Sequence, residues 1–430
     1  MRRCWGTAPS LPAQLTDSGY LGDTDHMALA HLFSWIILVP TWCLAITWLY
    51  KATRALVGMR GVPDLNELDL TKLPALSPGS GPDLTVVVPA CNEEWSIEDT
   101  LNSLLAQQAI RVQIVAIDDR STDGTGALME ALRPRVPTDS AHTLEVIRNR
   151  ELPPGWLGKP HAVSLAVARA AAPWILLTDA DMNFAPHCLA GAVRLAEARR
   201  ADHFVLLPTL ICTSWTDSAA LAAFQALTQW SMRLWKVEDP KARDFLGVGG
   251  FNMIRAETLK AIGGIEAVRL EVVEDVSIGW LVKRQGFRSL VAVGPGQTSL
   301  RWFQGTFGLV ANLEKNGFAA FRFSLPLVLI TLVAMCLQVA LPVAAVFLGW
   351  PGVAAVVAMH IGIAIGYGAN RKVNSISPAF AVLYAPSLAL LCWAFARSTI
   401  LTLRRGGVSW RGTFYPLAEL KRGMVPWSPW

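Results

Sequence analysis

The chain has 430 residues, 52% of them hydrophobic and only 17% charged, with a mean hydropathy of +0.36. That balance excludes an ordinary soluble protein and points to a membrane protein with one sizeable soluble domain. The net charge of +5 is modest, and its Lys and Arg cluster beside apolar segments, as cytoplasmic flanks of membrane helices do, so it gives no reason to invoke nucleic acid.

A polar tail, residues 1–26, carries Asp17, Asp23 and Asp25 and leads into the first apolar segment, Met27 to Tyr50. This segment exceeds the roughly 20 residues a bilayer crossing needs. Lys51, Arg54 and Arg60 follow it, so the positive-inside rule predicts a cytoplasmic C-terminal side. Its length and its aromatic end, Trp48 and Tyr50, mark an anchor rather than a cleaved signal peptide.

After a linker (51–81), a domain is expected over 82–310 with alternating strands and helices. In "DLTVVVPACNEE" a continuous apolar strand, Leu84 to Val88, is stopped by Pro89, and Ser96 to Gln107 has helical spacing. "RVQIVAIDDRSTDGTGALMEAL" repeats the pattern, with a strand to Ile117, a turn rich in Asp, Ser and Gly, and a helix from about Gly124. A strand around Leu144 to Ile147, a helix from Pro160 to Ala171 and a strand from Trp174 to Leu177 follow. Parallel strands joined by helices make an α/β fold that binds ligands at the C-terminal ends of its strands.

Residues 311–323, with Lys315 and Arg322 among apolar neighbours, predict a helix on the membrane surface. The membrane region, 324–403, holds three apolar segments, Ser324 to Gly349, Gly352 to Ala369 and Pro378 to Leu403. Three full crossings would carry the basic tail (404–430), with Arg404, Arg405, Arg411, Lys421 and Arg422, to the outside, against the charge rule. One segment is therefore expected to be re-entrant or interfacial, and Pro386 singles out the last. The seven cysteines (Cys4, Cys43, Cys91, Cys188, Cys212, Cys336, Cys392) form no C-x-x-C pair and suggest neither a disulfide framework nor a zinc site.

The polar residues gather at the predicted strand ends: Asn92 and Glu93 after the first, Asp118 and Asp119 after the second, Asp179 and Asp181 after the fourth. Carboxylates collected at one sheet edge repel one another unless a cation or a donor-rich ligand sits among them. A metal-bound nucleotide supplies both, because Mg²⁺ and Mn²⁺ take carboxylate oxygens and bridge to phosphates. Asp-x-Asp at a strand tip puts both side chains on one face. His161, His187 and His203 are isolated and make no metal set. Bland readings stand beside these: Asp118 and Asp119 before Ser121 could cap the next helix, and Glu274 with Asp275 could be a solvated helix face.

"VVVPACNEE", "AIDDRSTDGT" and "LLTDAD", in this order and spacing, resemble the family-2 nucleotide-sugar glycosyltransferases of the GT-A fold. "GVGGFNMIR", "VVEDVSIGWLVKRQGF" and Arg301-Trp302 extend the resemblance over most of the domain. "ELPPGWLGKPHA" and "VSWRGTFY" are most similar to the membrane-anchored ceramide-glucosyltransferase-like and hopene-associated members.

The resemblance implies that Pro89, Asn92 and Glu93 shape the nucleoside pocket and that one of Asp118 and Asp119 contacts a uracil-type base. Asp179 and Asp181 match the D-x-D motif, with Asp181 the direct metal ligand and Asp179 nearer the sugar or ribose; the metal is Mg²⁺ or Mn²⁺. Lys159 is implied near the diphosphate at a helix start, where backbone N–H groups favour anions. Glu274-Asp275 matches the acidic pair that supplies the catalytic base, expected to be Asp275, and Gly249 and Gly250 serve either close backbone approach at the acceptor site or only a turn. Arg301 and Trp302 meet the acceptor or diphosphate, but "QTSLRW" sets Gln297 one residue too far away for the related Q-x-x-R-W signature.

That departure counts against a processive exopolysaccharide synthase. The implied protein is an integral, inverting hexosyltransferase of a bacterial-type inner membrane, with its catalytic domain cytoplasmic. It would move one sugar from a nucleotide donor, UDP-sugar favoured, to a lipid or hydroxylated hydrophobic acceptor, with no obligate protein partner. A synthase and a catalytically idle membrane scaffold are the alternatives.

Overall fold

A computed structural model describes residues 21–76, 81–137, 140–303 and 305–426, so most of the polar N-terminal tail and residues 427–430 lie outside the described residues. Helix α1 (Leu21–Met59) carries the first apolar segment and runs on past Tyr50. The extension is stabilised because Ala52, Ala55 and Met59 are buried and Lys51 Nζ both donates to the Trp230 carbonyl at 3.1 Å and lies 4.3 Å from the centroid of the Trp230 ring.

The domain then runs β1 (Leu84–Ala90), α2 (Ile97–Leu105), β2 (Val112–Asp119), α3 (Thr125–Leu132), β3 (His142–Asn149), α4 (Gly158–Val167), β4 (Trp174–Leu177), β5 (Met182–Phe184), α5 (Cys188–Ala198), β6 (His203–Leu206) and β7 (Thr209–Leu210). It continues with α6 (Trp215–Ser231), β8 (Asn252–Arg255), α7 (Ala256–Ala261), α8 (Glu274–Arg284), β9 (Ser289–Ala292) and β10 (Thr298–Leu300). Seven strands form one sheet in the order β3-β2-β1-β4-β8-β6-β9, and β5-β10-β7 form a smaller one. The half built from β3, β2, β1 and β4 is parallel, whereas β8 runs antiparallel to both of its neighbours. Helices cover both faces, which is why β1 is buried along its whole length and reads as an unbroken apolar run.

Pro89 does not end β1, contrary to the sequence expectation. The Val87 carbonyl accepts from Thr178 N, so residue 87 faces β4; Pro89, two residues on, faces the same way. The β1–β4 pairing stops at Val87 and Leu177, so the missing N–H of Pro89 costs no ladder bond.

The rest of the chain is α9 (Thr306–Ala320), α10 (Leu325–Val346), α11 (Trp350–Ala369), α12 (Tyr384–Arg405), the hairpin β11 (Gly407–Trp410) with β12 (Thr413–Pro416), and α13 (Leu417–Gly423). Among the described residues four helical stretches are long and apolar enough to cross a membrane: His31–Met59, Leu325–Val346, Trp350–Lys372 and Pro378–Arg405. Close approach of α11 to α1 depends on Gly362, where a Cβ would lie 2.8 Å from Leu49 N. The stretch containing α12 is tied to the domain at both ends: Leu210 N donates to Asn374 Oδ1 at 2.7 Å, and Gly158 N donates to Tyr415 Oη at 3.2 Å. The basic tail therefore folds back against the sheet's C-terminal edge rather than leaving the molecule.

Candidate active site

The β4 strand ends at Leu177, and the next four residues are arranged by side-chain alternation. Thr178 Oγ1 donates to the Gly250 carbonyl at 2.7 Å, Ala180 is buried in the core, and its carbonyl accepts from Thr100 Oγ1 at 2.8 Å. Asp179 and Asp181 are thereby turned to the opposite side, both partly exposed. Lys159, in the first turn of α4, reaches across to Asp179 Oδ1 and to Glu274 Oε1, each at 2.7 Å. Glu274 and Asp275 are the first two residues of α8, where the helix dipole favours acidic groups. Asp275 Oδ1 accepts from Val276 N at 2.9 Å.

Two glycines make this gathering possible. A Cβ on Gly249 would stand 2.8 Å from Asp179 Oδ2, 3.4 Å from Lys159 Nζ and 3.5 Å from Asp275 Oδ2. A Cβ on Gly247 would collide with the Asp275 carbonyl at 1.7 Å, so the loop before β8 can lie on the start of α8 only because residue 247 has no side chain.

The electrostatics separate the carboxylates into two kinds. Burial opposes ionisation of Asp179, but Lys159 outweighs it and holds the carboxyl below its ordinary range. Burial likewise works against the Lys159 ammonium, and the Asp179, Glu274 and Asp275 charges more than offset it, so its affinity for the proton is raised. Asp181 is pushed up to about 7 by burial and by the charges of Asp179 and Glu93. Asp275 is pushed up to about 7 by burial and by Glu274, with Lys159 opposing. Among the described residues Asp181 makes no ion pair, so its charge is left for something else to balance.

The remaining predicted residues divide between this cluster and its supports. Glu93 stands beside it, its proton affinity raised by burial against the opposing charge of Arg411, which donates to Glu93 Oε1 at 2.6 Å. Asn92, at φ +57°, ties the loop after β1 to the loop after β2: its N–H donates to Ser121 Oγ and its Oδ1 accepts from Thr122 N at 2.8 Å. Asp118 Oδ1 accepts from Ser121 N, and its Oδ2 occupies the space a Cβ on Gly126 would need, so it props the turn into α3. Asp119 accepts from Arg120 and, at 2.7 Å, from Asn149 Nδ2. Pro89 is buried within β1, and Gly250 lies over Met182 Sδ. Trp302 packs against Phe224 and Phe303 where the domain core meets the membrane-side core, while Arg301 is exposed. Gln297 Nε2 donates to Asn66 Oδ1 at 2.8 Å and so fastens the linker.

Two residues at the cluster were read from the sequence only as basic residues of the surface helix and the tail. Lys315, on α9, lies 3.8 Å from the centroid of the Trp410 ring, and its pKa is lowered to about 8 by burial and by the charges of Lys159 and Arg411. Arg411 sits at the tip of the β11–β12 hairpin. The Arg-Gly pair between "VSW" and "TFY" was the signal available for that hairpin, a weak one beside Asn-Gly or Asp-Gly.

Residues 85–262 match the family model for glycosyl transferase family 2. The succinoglycan biosynthesis protein ExoO of Rhizobium meliloti (strain 1021) is 32% identical over 121 residues, 28% of this chain and 32% of that protein. The 4,4'-diaponeurosporenoate glycosyltransferase of Staphylococcus aureus (strain MRSA252) is 23% identical over 225 residues, 52% of this chain and 57% of that one. The chain thus spans from about a third to just over half the length of these curated relatives. Among solved structures, a mannosyltransferase of Pyrobaculum calidifontis in complex with GDP-Man and Mn²⁺ superposes with a TM-score of 0.50 at 19% identity, covering 84% of this chain and 99% of that one, a likeness of fold. With the acidic tips of β2 and β4 falling inside the matched residues, the chain carries a glycosyl transferase family 2 domain on a GT-A-like α/β fold.

Proposed function

We propose that the protein is a membrane-bound, inverting glycosyltransferase of the ceramide-glucosyltransferase-like subgroup, transferring one sugar from a nucleoside-diphosphate donor to a hydroxylated lipid at the cytoplasmic leaflet. The observation that carries the reading is the Lys159 bridge between Asp179 at the tip of β4 and Glu274 at the start of α8, which brings the donor motif and the acidic pair into one site. Asp181, with Asp179 and Glu93 beside it and no cation of its own, fits a divalent ion: two carboxylates and phosphate oxygens are what Mg²⁺ and Mn²⁺ take. Bound there, the ion would supply charge stabilisation for the departing diphosphate.

The chain's own groups do the rest. The acceptor hydroxyl oxygen forms a bond to the anomeric carbon as the bond from that carbon to the phosphate oxygen breaks, and the hydroxyl proton passes to a carboxylate. Asp275 suits that proton better than Glu274, because Glu274 is engaged by Lys159 while Asp275 has its proton affinity raised to about 7, near working pH. "ELPPGWLGKPHA", "VSWRGTFY" and the name of the Staphylococcus relative support a lipid acceptor over a growing polymer.

The anchoring of Asn374 and Tyr415 to the same domain supports a re-entrant last segment, with α1, α10 and α11 as the crossings. A screen of UDP- and GDP-sugars with Mg²⁺ or Mn²⁺ in native lipid extract, read by nucleotide release and mass spectrometry, tests the reading. A new monoglycosylated lipid is expected; a polymeric product would replace it with the synthase, and no transfer from any donor with an idle scaffold.

A further inference from the structure

The β11–β12 hairpin lies outside the matched family domain, yet it touches three of the loops beside the cluster. Arg411 bonds Glu93 after β1 at 2.6 Å, Thr413 Oγ1 accepts from Arg120 after β2 at 3.3 Å, and Tyr415 Oη accepts from Gly158 N at the start of α4 at 3.2 Å. Its turn residues, Arg411 at φ +49° and Gly412 at φ +77°, fit a two-residue turn in which Gly or Asn is the unstrained choice at either position. An arginine held there keeps a charged side chain at the tip against that backbone preference. Lys315, from the helix leading to α10, stacks on Trp410 in the same hairpin.

We propose that this hairpin is the cover of the donor site, and that Arg411, with Lys315 beside it, binds the diphosphate of the nucleotide sugar. Arg411 exchanges its Glu93 partner for phosphate oxygens when the donor enters. A guanidinium takes two phosphate oxygens at once, and the Lys315 ammonium adds a point charge from the membrane side. The cations already near Asp179 thereby acquire a role: Lys159 organises the carboxylates, while Arg411 and Lys315 serve the phosphates. A donor bound under the hairpin is held by elements that are themselves attached to the membrane helices, through α9 and α12.

This rests on the donor-site reading above, and the test separates the two. Calorimetric titration of the full-length protein in nanodiscs, with Mn²⁺, compares UDP, UMP and uridine, and in parallel the guanine series. For the wild type, binding should strengthen from nucleoside to diphosphate. Arg411→Gln should weaken diphosphate binding about 10- to 100-fold, the size of a lost charge-assisted pair, and change nucleoside binding less than about twofold. Arg411→Lys should recover part of the loss, and it carries the test if the glutamine variant does not fold. Tyr415→Phe, which removes the anchor and keeps Arg411, should weaken diphosphate binding less than Arg411→Gln does. An equal loss across nucleoside and diphosphate, or no loss at all, overturns the role of Arg411 and leaves the donor site standing. Failure of the wild type to bind any diphosphate overturns both.

Discussion

Replacing Lys159 with Met removes the one cation that holds Asp179 and Glu274 together. Breaking a fully buried pair by deleting one partner costs about 3–5 kcal/mol. Here the side chains of Lys159, Asp179 and Glu274 are 20%, 35% and 11% exposed, so solvent screening lowers the expected cost to about 2–4 kcal/mol. For a domain of this size that corresponds to a fall in Tm of about 5–15 °C. The sign with pH follows from Asp179, whose carboxyl is held below its ordinary range in the fold. Stability from such a group is present above the unfolded carboxylate value and is lost as pH falls through the folded one. The deficit of the variant should therefore be full at about pH 6–8 and shrink as pH falls below about 4, towards about pH 2. Thermal unfolding of wild type and Lys159→Met in detergent across that range measures it, and a deficit that does not change with pH would mean that Lys159 acts by packing alone.

Three further outcomes are expected. A general base must be deprotonated to act, so with Asp275 raised to about 7 the kcat/KM of transfer should fall as pH drops through about 7; Asp275→Asn should cost roughly 10²–10⁴-fold and abolish that limb, and an unchanged profile would assign the base elsewhere. Gly249→Ala puts a methyl 2.8 Å from Asp179 Oδ2, so turnover should drop at least about tenfold with little change in Tm, and full activity would show that the cluster tolerates displacement. In a cysteine-free background, Lys241→Cys on the domain and Lys421→Cys in the tail should react with an impermeant maleimide from the same side of the membrane, and Trp350→Cys at the start of α11 from the other; labelling of the tail with Trp350→Cys would refute the re-entrant segment.

The parallel half of the fold was readable because β1, β2 and β4 are short apolar runs ended by polar residues, and α2 has a clear helical period. Trp174 to Leu177 is bounded as expected, and Asp179 and Asp181 stand on one face. The other half was harder, since β6, β8 and β9 are short and β8 reverses direction, which no local pattern announces. Within the site, sequence spacing could bring Lys159 near a helix start, but not across the sheet edge to Glu274, more than a hundred residues away. It offered helix capping by Asp118 or Asp119 beside a ligand role but could not say that Asp118 is the one spent on the turn into α3, because adjacent strand residues point to opposite faces and only the neighbouring helix decides which face meets the ligand.

The basic tail carries the connection between membrane and chemistry. Arg397 lies within the last apolar segment, where an unpaired guanidinium facing lipid would be costly, and it donates instead to Glu314 of α9 at 3.1 Å. Arg405, two turns on, takes the other oxygen of the same carboxylate at 2.9 Å. Each such exposed pair is worth little by itself, but together they fix the α12 side that faces α9 and the domain. Ser398 adds to this side, accepting from Phe318 N and donating to the Glu314 carbonyl. A helix bound along this polar side does not suit a lipid-surrounded span. It supports the proposed segment that dips and returns, whose return would deliver the hairpin with Arg411 to Glu93. On the proposed re-entrant topology, the contact that brings Arg411 to Glu93 would also keep the basic tail on the side of the domain, as the charge rule expects.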